Sequence, residues 1–165
     1  MNKKVAIIGY GYVGKAMHEF FKDHYDVFIY DPNEKNSHTQ EEINECDLGV
    51  ICVPTPMQEG GACDTSIVEE VASWLDTPLV ILKSTVPVGT TELLGRRYGH
   101  RIVFAPEYCG ESKYWSPYAF HTDVKETPFF IFGGKPVDCS EAIDYYLPIT
   151  GPMKKYHQTT WETAE

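Results

Sequence analysis

Short apolar runs recur along this chain, separated by stretches in which apolar and polar positions alternate with helical spacing. Val5–Ile8, Val27–Tyr30, Leu48–Val53, Leu79–Leu82, Ile102–Ala105 and Phe129–Phe132 are rich in β-branched or aromatic side chains. Runs of that length and make-up read as strands buried on both faces, as in a parallel sheet. The segments Tyr12–Lys22, Gln40–Glu45, Thr65–Leu75, Thr90–Arg97 and Ser140–Tyr146 predict helices between them. In the first, Val13, Met17, Phe20 and Phe21 share one face, as packing on a sheet requires. Strands alternating with helices predict a doubly wound α/β sheet of about six strands, with helices on both faces and right-handed crossovers.

Two stretches break this rhythm. Residues 107–127 carry aromatic residues with Ser, Pro and Gly and no clear period, which suggests a structured functional loop. Near the C-terminus, Thr159 and Glu162 have capping-box spacing and predict a helix that includes Trp161. The chain stops at Glu165, barely a turn later, and so short a helix cannot stand alone in water. The expectation is one domain over residues 1–158, followed at 159–165 by the start of a connecting helix that either continued in the natural polypeptide or frays.

A length of 165 residues fits one domain with a real core. The formal net charge of −10 argues against nucleic acid or an anionic membrane as partner. It leaves nucleotides open, because backbone amides hold phosphates without a basic surface. No apolar run approaches the roughly 20 residues that span a bilayer. The N-terminal MNKKVAIIGYGYVGKA superficially resembles a signal peptide, but its internal glycines and lack of a cleavage pattern favour a buried strand and turn. A cytoplasmic location is expected. The five cysteines form no Cys-x-x-Cys pair, which argues against disulfides or a metal cluster, and Cys52 reads as a small buried hydrophobe. The six histidines give no metal pattern; His121 alone falls near an expected ligand edge.

The strongest local signal is Gly9-Tyr10-Gly11-Tyr12-Val13-Gly14, which follows a strand and opens a helix, with Asp31 closing the next strand. Gly9 permits a tight turn, Gly11 lets the backbone approach a pyrophosphate, and Gly14 lets helix and strand pack closely. The helix N-terminus offers N–H groups and a positive dipole end to phosphates. Asp31 would accept hydrogen bonds from both ribose hydroxyls and repel a 2′-phosphate, and with no Arg nearby NAD is favoured over NADP. The fold is therefore expected to be Rossmann-type, with FAD as the competing cofactor.

Three further segments end strands, at the sheet edge where open α/β sheets bind ligands. They are Val53-Pro54-Thr55-Pro56, Lys83-Ser84-Thr85-Val86-Pro87-Val88-Gly89-Thr90-Thr91 and Pro106-Glu107-Tyr108-Cys109-Gly110-Glu111-Ser112. Each by itself could be only a turn or a cap. Together with the glycine turn, they closely resemble the N-terminal, NAD-binding part of the UDP-glucose/GDP-mannose dehydrogenase family. The resemblance covers essentially the whole chain and disfavours FAD.

That family oxidises the primary alcohol of a nucleotide sugar to a uronate by two hydride transfers to NAD, through a cysteine thioester. The resemblance implies that Tyr12, Val13, Val53, Pro54, Thr55 and Thr85 line the NAD site with the three glycines and Asp31. Thr85 would also help hold the catalytic water, and Glu107 would act as base or water-positioning carboxylate. Glu111 would lie against the nicotinamide, and the backbone of Tyr108, Cys109 and Gly110 would face the sugar. Without the resemblance, Glu107 and Glu111 read as a solvated loop.

The departures are informative. No Gly-x-Cys-Phe-Pro-Lys-Asp-like segment occurs, so none of the five cysteines inherits the nucleophile's role. The family's connecting-helix lysine and asparagine are also absent. Only the 16 residues 32–47 separate Asp31 from Leu48, too few for the extra elements that relatives insert, which predicts a trimmed sheet of order 2-1-3-4-5-6. The chain alone is expected to bind NAD without completing turnover. Lys83–Thr90 leans slightly towards UDP-glucose by resemblance, and full-length relatives are expected to form homodimers largely through their central part. The alternatives are a stand-alone, non-catalytic NAD-binding module and a β-hydroxyacid type of dehydrogenase; the latter would not be expected to carry the second and third strand-end segments together.

Overall fold

A computed structural model describes residues 2–107 and 123–165. Its strands are β1 (Lys4–Ile8), β2 (Asp26–Tyr30), β3 (Leu48–Ile51), β4 (Val80–Leu82), β5 (Ile102–Phe104), β6 (Phe129–Gly133) and β7 (Lys155–Thr159). The helices are α1 (Tyr12–Phe21), α2 (Gln40–Asn44), α3 (Ser66–Trp74), α4 (Thr90–Tyr98), α5 (Pro136–Thr150) and α6 (Trp161–Ala164). The strands form one sheet in the order β2-β1-β3-β4-β5-β6-β7.

The side-chain period of two decides which residue enters which core layer. In β1, Val5 and Ile7 face one layer, while Ala6 and Ile8 face the other. The first layer receives Met17, Phe20 and Phe21 of α1 and Ala142, Tyr145 and Tyr146 of α5. The second receives Ile43 of α2, Val68, Val71 and Ala72 of α3, and Leu94 of α4. Tyr146 anchors the first layer, with its ring centroid 4.9 Å from that of Phe20 and 5.1 Å from that of Phe132. Aromatic pairs in such geometry each add about 0.5–1.5 kcal/mol beyond their buried area.

The sheet departs from the expected order at one edge. Six strands in the order 2-1-3-4-5-6 are present, but β6 runs antiparallel to β5 through the pair Phe104–Gly133, and β7 adds a seventh strand parallel to β6. Lys155–Thr159, largely exposed, lacks the apolar run that marks the inner strands. It was invisible to a search for buried strands because an edge strand needs only its backbone partner. Between β2 and β3 the only helix is the five-residue α2, closed by a capping box of Thr39 and Glu42, as the short 32–47 stretch predicts. Helix α5 is longer than Ser140–Tyr146. Pro136 begins it at a position that needs no N–H, and Pro148 falls in its last turn.

The C-terminal segment is docked. Thr159 is the last residue of β7, so Thr160, not Thr159, caps the final helix and accepts a hydrogen bond from Thr163 N. Trp161 Nε1 donates to Ile102 O at 2.9 Å. Gly133 makes room for the helix, since a Cβ there would lie 2.4 Å from Ala164 Cβ. The Glu165 carboxylate accepts from Gly89 N at 2.6 Å, Thr91 N at 2.7 Å and Thr91 Oγ1 at 2.5 Å. Gly89 has no side chain to cap α4, so a distant carboxylate satisfies its first-turn amides and complements its dipole. Replacing Glu165 by Ala is expected to cost about 1–2 kcal/mol, read as a lower urea midpoint with an unchanged slope; an unaltered midpoint would show the cap to be dispensable.

Candidate cofactor cleft

β1 ends where the chain must turn sharply into α1. Gly9 takes φ +89°, which L side chains rarely adopt, and a Cβ there would lie 2.8 Å from Cys52 O. Gly9 N donates to Tyr30 O at 2.8 Å, tying the turn to β2. A Cβ on Gly14 would meet Gly9 O at 2.0 Å, so the helix can approach the turn only with glycine at that position.

Gly11 differs from both. Its φ of −73° is open to any residue, and an added Cβ would meet nothing within 4 Å. Neither backbone conformation nor packing demands glycine there. It caps α1 without a side-chain hydrogen bond, and the first turn carries no acidic residue. The helix therefore presents its N-terminal dipole to open space, which is the arrangement that suits a phosphate.

Asp31 is locked beside this turn. Its Oδ2 accepts from Tyr10 N at 2.7 Å, while Oδ1 accepts from Asn33 N at 2.9 Å and Asn33 Nδ2 at 3.2 Å. Burial works against its charge, but these hydrogen bonds, with a smaller contribution from Lys15, hold the carboxyl below its ordinary value. A carboxylate offers about four acceptor positions. With Asn33 in place, Asp31 keeps room for one strong donor, which narrows the expectation that it accepts from both ribose hydroxyls.

The ends of β3 and β4 are laced together above the sheet. Ser84 Oγ donates to Val53 O and Thr55 Oγ1 to Thr85 O, both at 2.7 Å. Cys63 Sγ donates to Thr85 O at 3.6 Å. Both threonines are thus fixed by backbone contacts as well as by their strands.

These elements converge on a cleft of about 420 Å³ along the strands' C-terminal edge, lined by Gly9, Gly11, Tyr12, Val13, Asp31, Val53, Pro54, Thr55, Thr85 and Glu107. All ten were singled out in the sequence. Gly14 lies beneath the turn and does not line the cleft. Glu111, Tyr108, Cys109 and Gly110, with His121, lie outside the described residues. Asn33 also lines the cleft, as do Cys52, read from the sequence as a buried hydrophobe, and Lys83 and Ser84, which open the second strand-end segment but were given no ligand role. A charged residue directly after an apolar strand, as Lys83 follows Leu82, was the available signal for one of them.

A second lobe of about 200 Å³ continues past Asp31, formed by Tyr30, Pro32, Ile67, Glu70, Val71 and Trp74 with Gly9, Val53 and Pro54. Ile67, Val71 and Trp74 recur at helical spacing along α3 and wall this lobe. A roomier groove of about 540 Å³ lies on the outer flank of α1. Of its three ammonium groups, Lys22 is paired with Glu19 at 2.5 Å and Lys125 with Asp23 at 3.3 Å, while Lys15 lies 5.6 Å from the centroid of the Tyr10 ring. It also lies away from the strand ends, so we place the site in the edge cleft.

The described residues hold no cluster of His, Cys, Asp or Glu able to bind a metal, and no described helix is long and apolar enough to cross a membrane. Cys46, Cys52, Cys63 and Cys139 form no disulfide. Burial pushes the thiols of Cys46 and Cys139 up to about 11 and that of Cys52 up to about 12, so these three stay protonated near neutral pH.

Comparison with known proteins gives this cleft a family. The sequence model for the NAD binding domain of the UDP-glucose/GDP-mannose dehydrogenase family matches residues 33–138. A UDP-N-acetyl-D-mannosamine dehydrogenase from Methanococcus maripaludis is 28% identical over 147 residues, covering 66% of this chain and 34% of that protein. A UDP-glucose 6-dehydrogenase from Streptococcus pneumoniae is 27% identical over 146 residues, covering 67% of this chain and 37% of its own. The chain thus spans about a third of the length of these relatives. A UDP-glucose dehydrogenase structure from Pyrobaculum islandicum superposes with a TM-score of 0.79 at 22% identity, covering 99% of this chain and 48% of that one. The glycine turn precedes the matched residues, so its assignment rests on the geometry above and on the shared fold. This chain belongs to the UDP-glucose/GDP-mannose dehydrogenase family and carries that family's NAD binding domain.

Proposed function

We propose that this chain is the cofactor-binding part of a nucleotide-sugar 6-dehydrogenase, with UDP-glucose as the first sugar nucleotide to test. The observation that carries the reading is the empty space over Gly11, a glycine that the fold itself does not need. A ligand that presses on the backbone there accounts for it, and the uncapped helix behind it selects a phosphate.

In this reading the amides of the turn around Gly9, Gly11, Tyr12 and Val13 hold the diphosphate, while Gly14 keeps the helix close. Asp31 takes a ribose hydroxyl, and the lobe beyond it, walled by Ile67, Val71 and Trp74, takes the adenine. Val53, Pro54, Thr55 and Thr85, along the ends of β3 and β4, would hold the remainder of the cofactor. When bound, NAD supplies a hydride acceptor for the sugar's primary carbon. Thr85 and Glu107 offer a hydroxyl and a carboxylate at the β4–β5 end of the cleft, where an attacking water must be held. Glu111 and the backbone of Tyr108, Cys109 and Gly110 complete the nicotinamide and sugar sides by resemblance.

The covalent step of the family's reaction needs a reactive thiol. Cys52, in the cleft, is held protonated by burial and does not meet that need. The same observation favours a second reading, in which the chain is a non-catalytic NAD-binding module. An assay of the purified chain with UDP-glucose and NAD is expected to give cofactor binding without uronate. Sustained uronate formation by the purified chain would overturn that expectation.

Two glycine substitutions separate fold from ligand. Gly14→Ala is expected to lose about 3 kcal/mol of stability through its clash with Gly9 O. Gly11→Ala is expected to melt within about 0.5 kcal/mol of the parent while NAD affinity, measured by calorimetry, falls at least about tenfold, or 1.4 kcal/mol. Normal NAD affinity in Gly11→Ala would remove the main support for this site.

Asp31→Asn is expected to weaken NAD by a similar factor and to narrow the preference for NAD over NADP. The folded Asp31 carboxyl sits below its ordinary value of 3.8, so its stabilising contribution is present above that pH and is lost as pH falls through the lower folded value. Urea melts of parent and Asp31→Asn should therefore differ most at neutral pH and converge as the medium is acidified below that range. A gap that widens on acidification would contradict this sign.

A further inference from the structure

The floor of the cleft at its β4–β5 end holds a charge pair of which the reading above uses Glu107 and leaves Lys83 without a role. Lys83, on the last turn of chain out of β4, is 6% exposed. Its Nζ lies 3.2 Å from Glu107 Oε2 and donates to Ala105 O at 3.1 Å. The Glu107 side chain is itself only 12% exposed, yet it borders the cleft. A lysine in such a place normally loses its proton, because burial penalises the ammonium. Here burial is overridden chiefly by the Glu107 carboxylate, and Lys83 is held protonated well above its ordinary range.

The groups around the pair come from β3, α5 and the same β5 end that carries Glu107. Cys52, from the end of β3, contributes a thiol that stays protonated. Tyr146, from α5, brings a buried hydroxyl that interacts with the same ammonium. Burial pushes that phenol up to about 12, so it too is neutral. Ala105, at the end of β5, gives its carbonyl. Among the described groups facing the pair, Lys83 and Glu107 are the two that carry charge near neutral pH.

We propose that Lys83 is a positioning residue for Glu107, an ammonium fixed between two strands that keeps the glutamate ionised and aimed at the reactive end of the cleft. This rests on the reading of Glu107 as a group at the nicotinamide end. It refines that reading, because a carboxylate gripped by a buried ammonium is a weak base. Glu107 then serves as a fixed acceptor that orients a water or a sugar hydroxyl, and it does not take up a proton near neutral pH. The arrangement costs the ammonium its hydration, which the Ala105 carbonyl and the carboxylate replace. Removing Lys83 would take from a partly buried carboxylate the positive charge that lies 3.2 Å from it, so its affinity for a proton would rise.

The test is a carboxyl-carbon NMR titration of protein labelled at glutamate Cδ, with the Glu107 signal assigned by its loss in Glu107→Gln. In the parent, Glu107 is expected to remain ionised at pH 4.5, the ordinary value of a glutamate carboxyl. In Lys83→Met its midpoint is expected to rise by about two pH units or more, while Lys83→Arg stays near the parent. Lys83→Met is expected to change the Glu107 midpoint without moving those of the exposed glutamates, a selectivity that general loosening of the domain would not produce. A parent Glu107 that titrates with or above the exposed glutamates overturns the proposal, and this measurement decides the matter even if Lys83→Met does not fold. A midpoint indifferent to Lys83→Met in folded protein also overturns it. Calorimetry with NAD separates this from the functional reading: absent NAD binding sinks the reading and leaves the titration untouched, whereas an ordinary Glu107 midpoint sinks the proposal and leaves NAD binding intact.

Discussion

The Gly9 carbonyl occupies the space where a side chain on residue 14 would have to be, only 2.0 Å from the Cβ that an alanine would place there. That contact sets how closely α1 approaches the end of β1, and the rest of the cleft is built outward from it. With α1 seated, its first turn points over the C-terminal edge of the sheet. Asp31, drawn in by Tyr10 N, then stands beside the turn. The loops after β3 and β4, joined through Ser84 and Thr55, form the opposite wall. A parallel arrangement of β2, β1, β3, β4 and β5 brings all these loops to one edge, because every strand in that set ends on the same side.

Electrostatics follows the same economy. A chain with net charge −10 does not attract phosphate through its overall field; attraction must come from oriented amides at short range. The buried ammonium in the cleft, Lys83, is matched by Glu107 at 3.2 Å. The cleft therefore gains a fixed dipole across its floor at the β4–β5 end. Asp31 at the other end is kept ionised by backbone donors. Both carboxylates are placed by groups that cannot readily move, and that rigidity is what a site needs to orient a ligand rather than merely hold it.

The far edge of the sheet serves a different purpose. β6 and β7 extend the sheet beyond β5, and α6 returns to lie on Gly133, with Trp161 reaching the Ile102 carbonyl. Glu165 then caps α4 from across the molecule. Because α4 begins just after the loop that carries Thr85, the C-terminal segment and the cleft wall share a support. The single-turn α6, too short to persist in isolation, is held by these tertiary contacts.

The sequence by itself determined the inner strands, the helices between them and the glycine turn, because each is written in local period, spacing or backbone demand. Apolar runs such as Leu48–Ile51 cannot be satisfied except by burial on two faces. Of the ten residues that line the cleft, Gly9, Gly11 and Asp31 could be named from turn and strand-end spacing, while Tyr12, Val13, Val53, Pro54, Thr55, Thr85 and Glu107 were implied by the resemblance that the strand-end motifs carry. Only the tertiary structure decided the direction of β6, the existence of β7, the shift of the final cap from Thr159 to Thr160 and the pairing of Lys83 with Glu107. An apolar run reads alike in either direction, an edge strand need carry no hydrophobic signal, and a charge pair 24 residues apart in the chain exists only once two neighbouring strands have laid its members side by side.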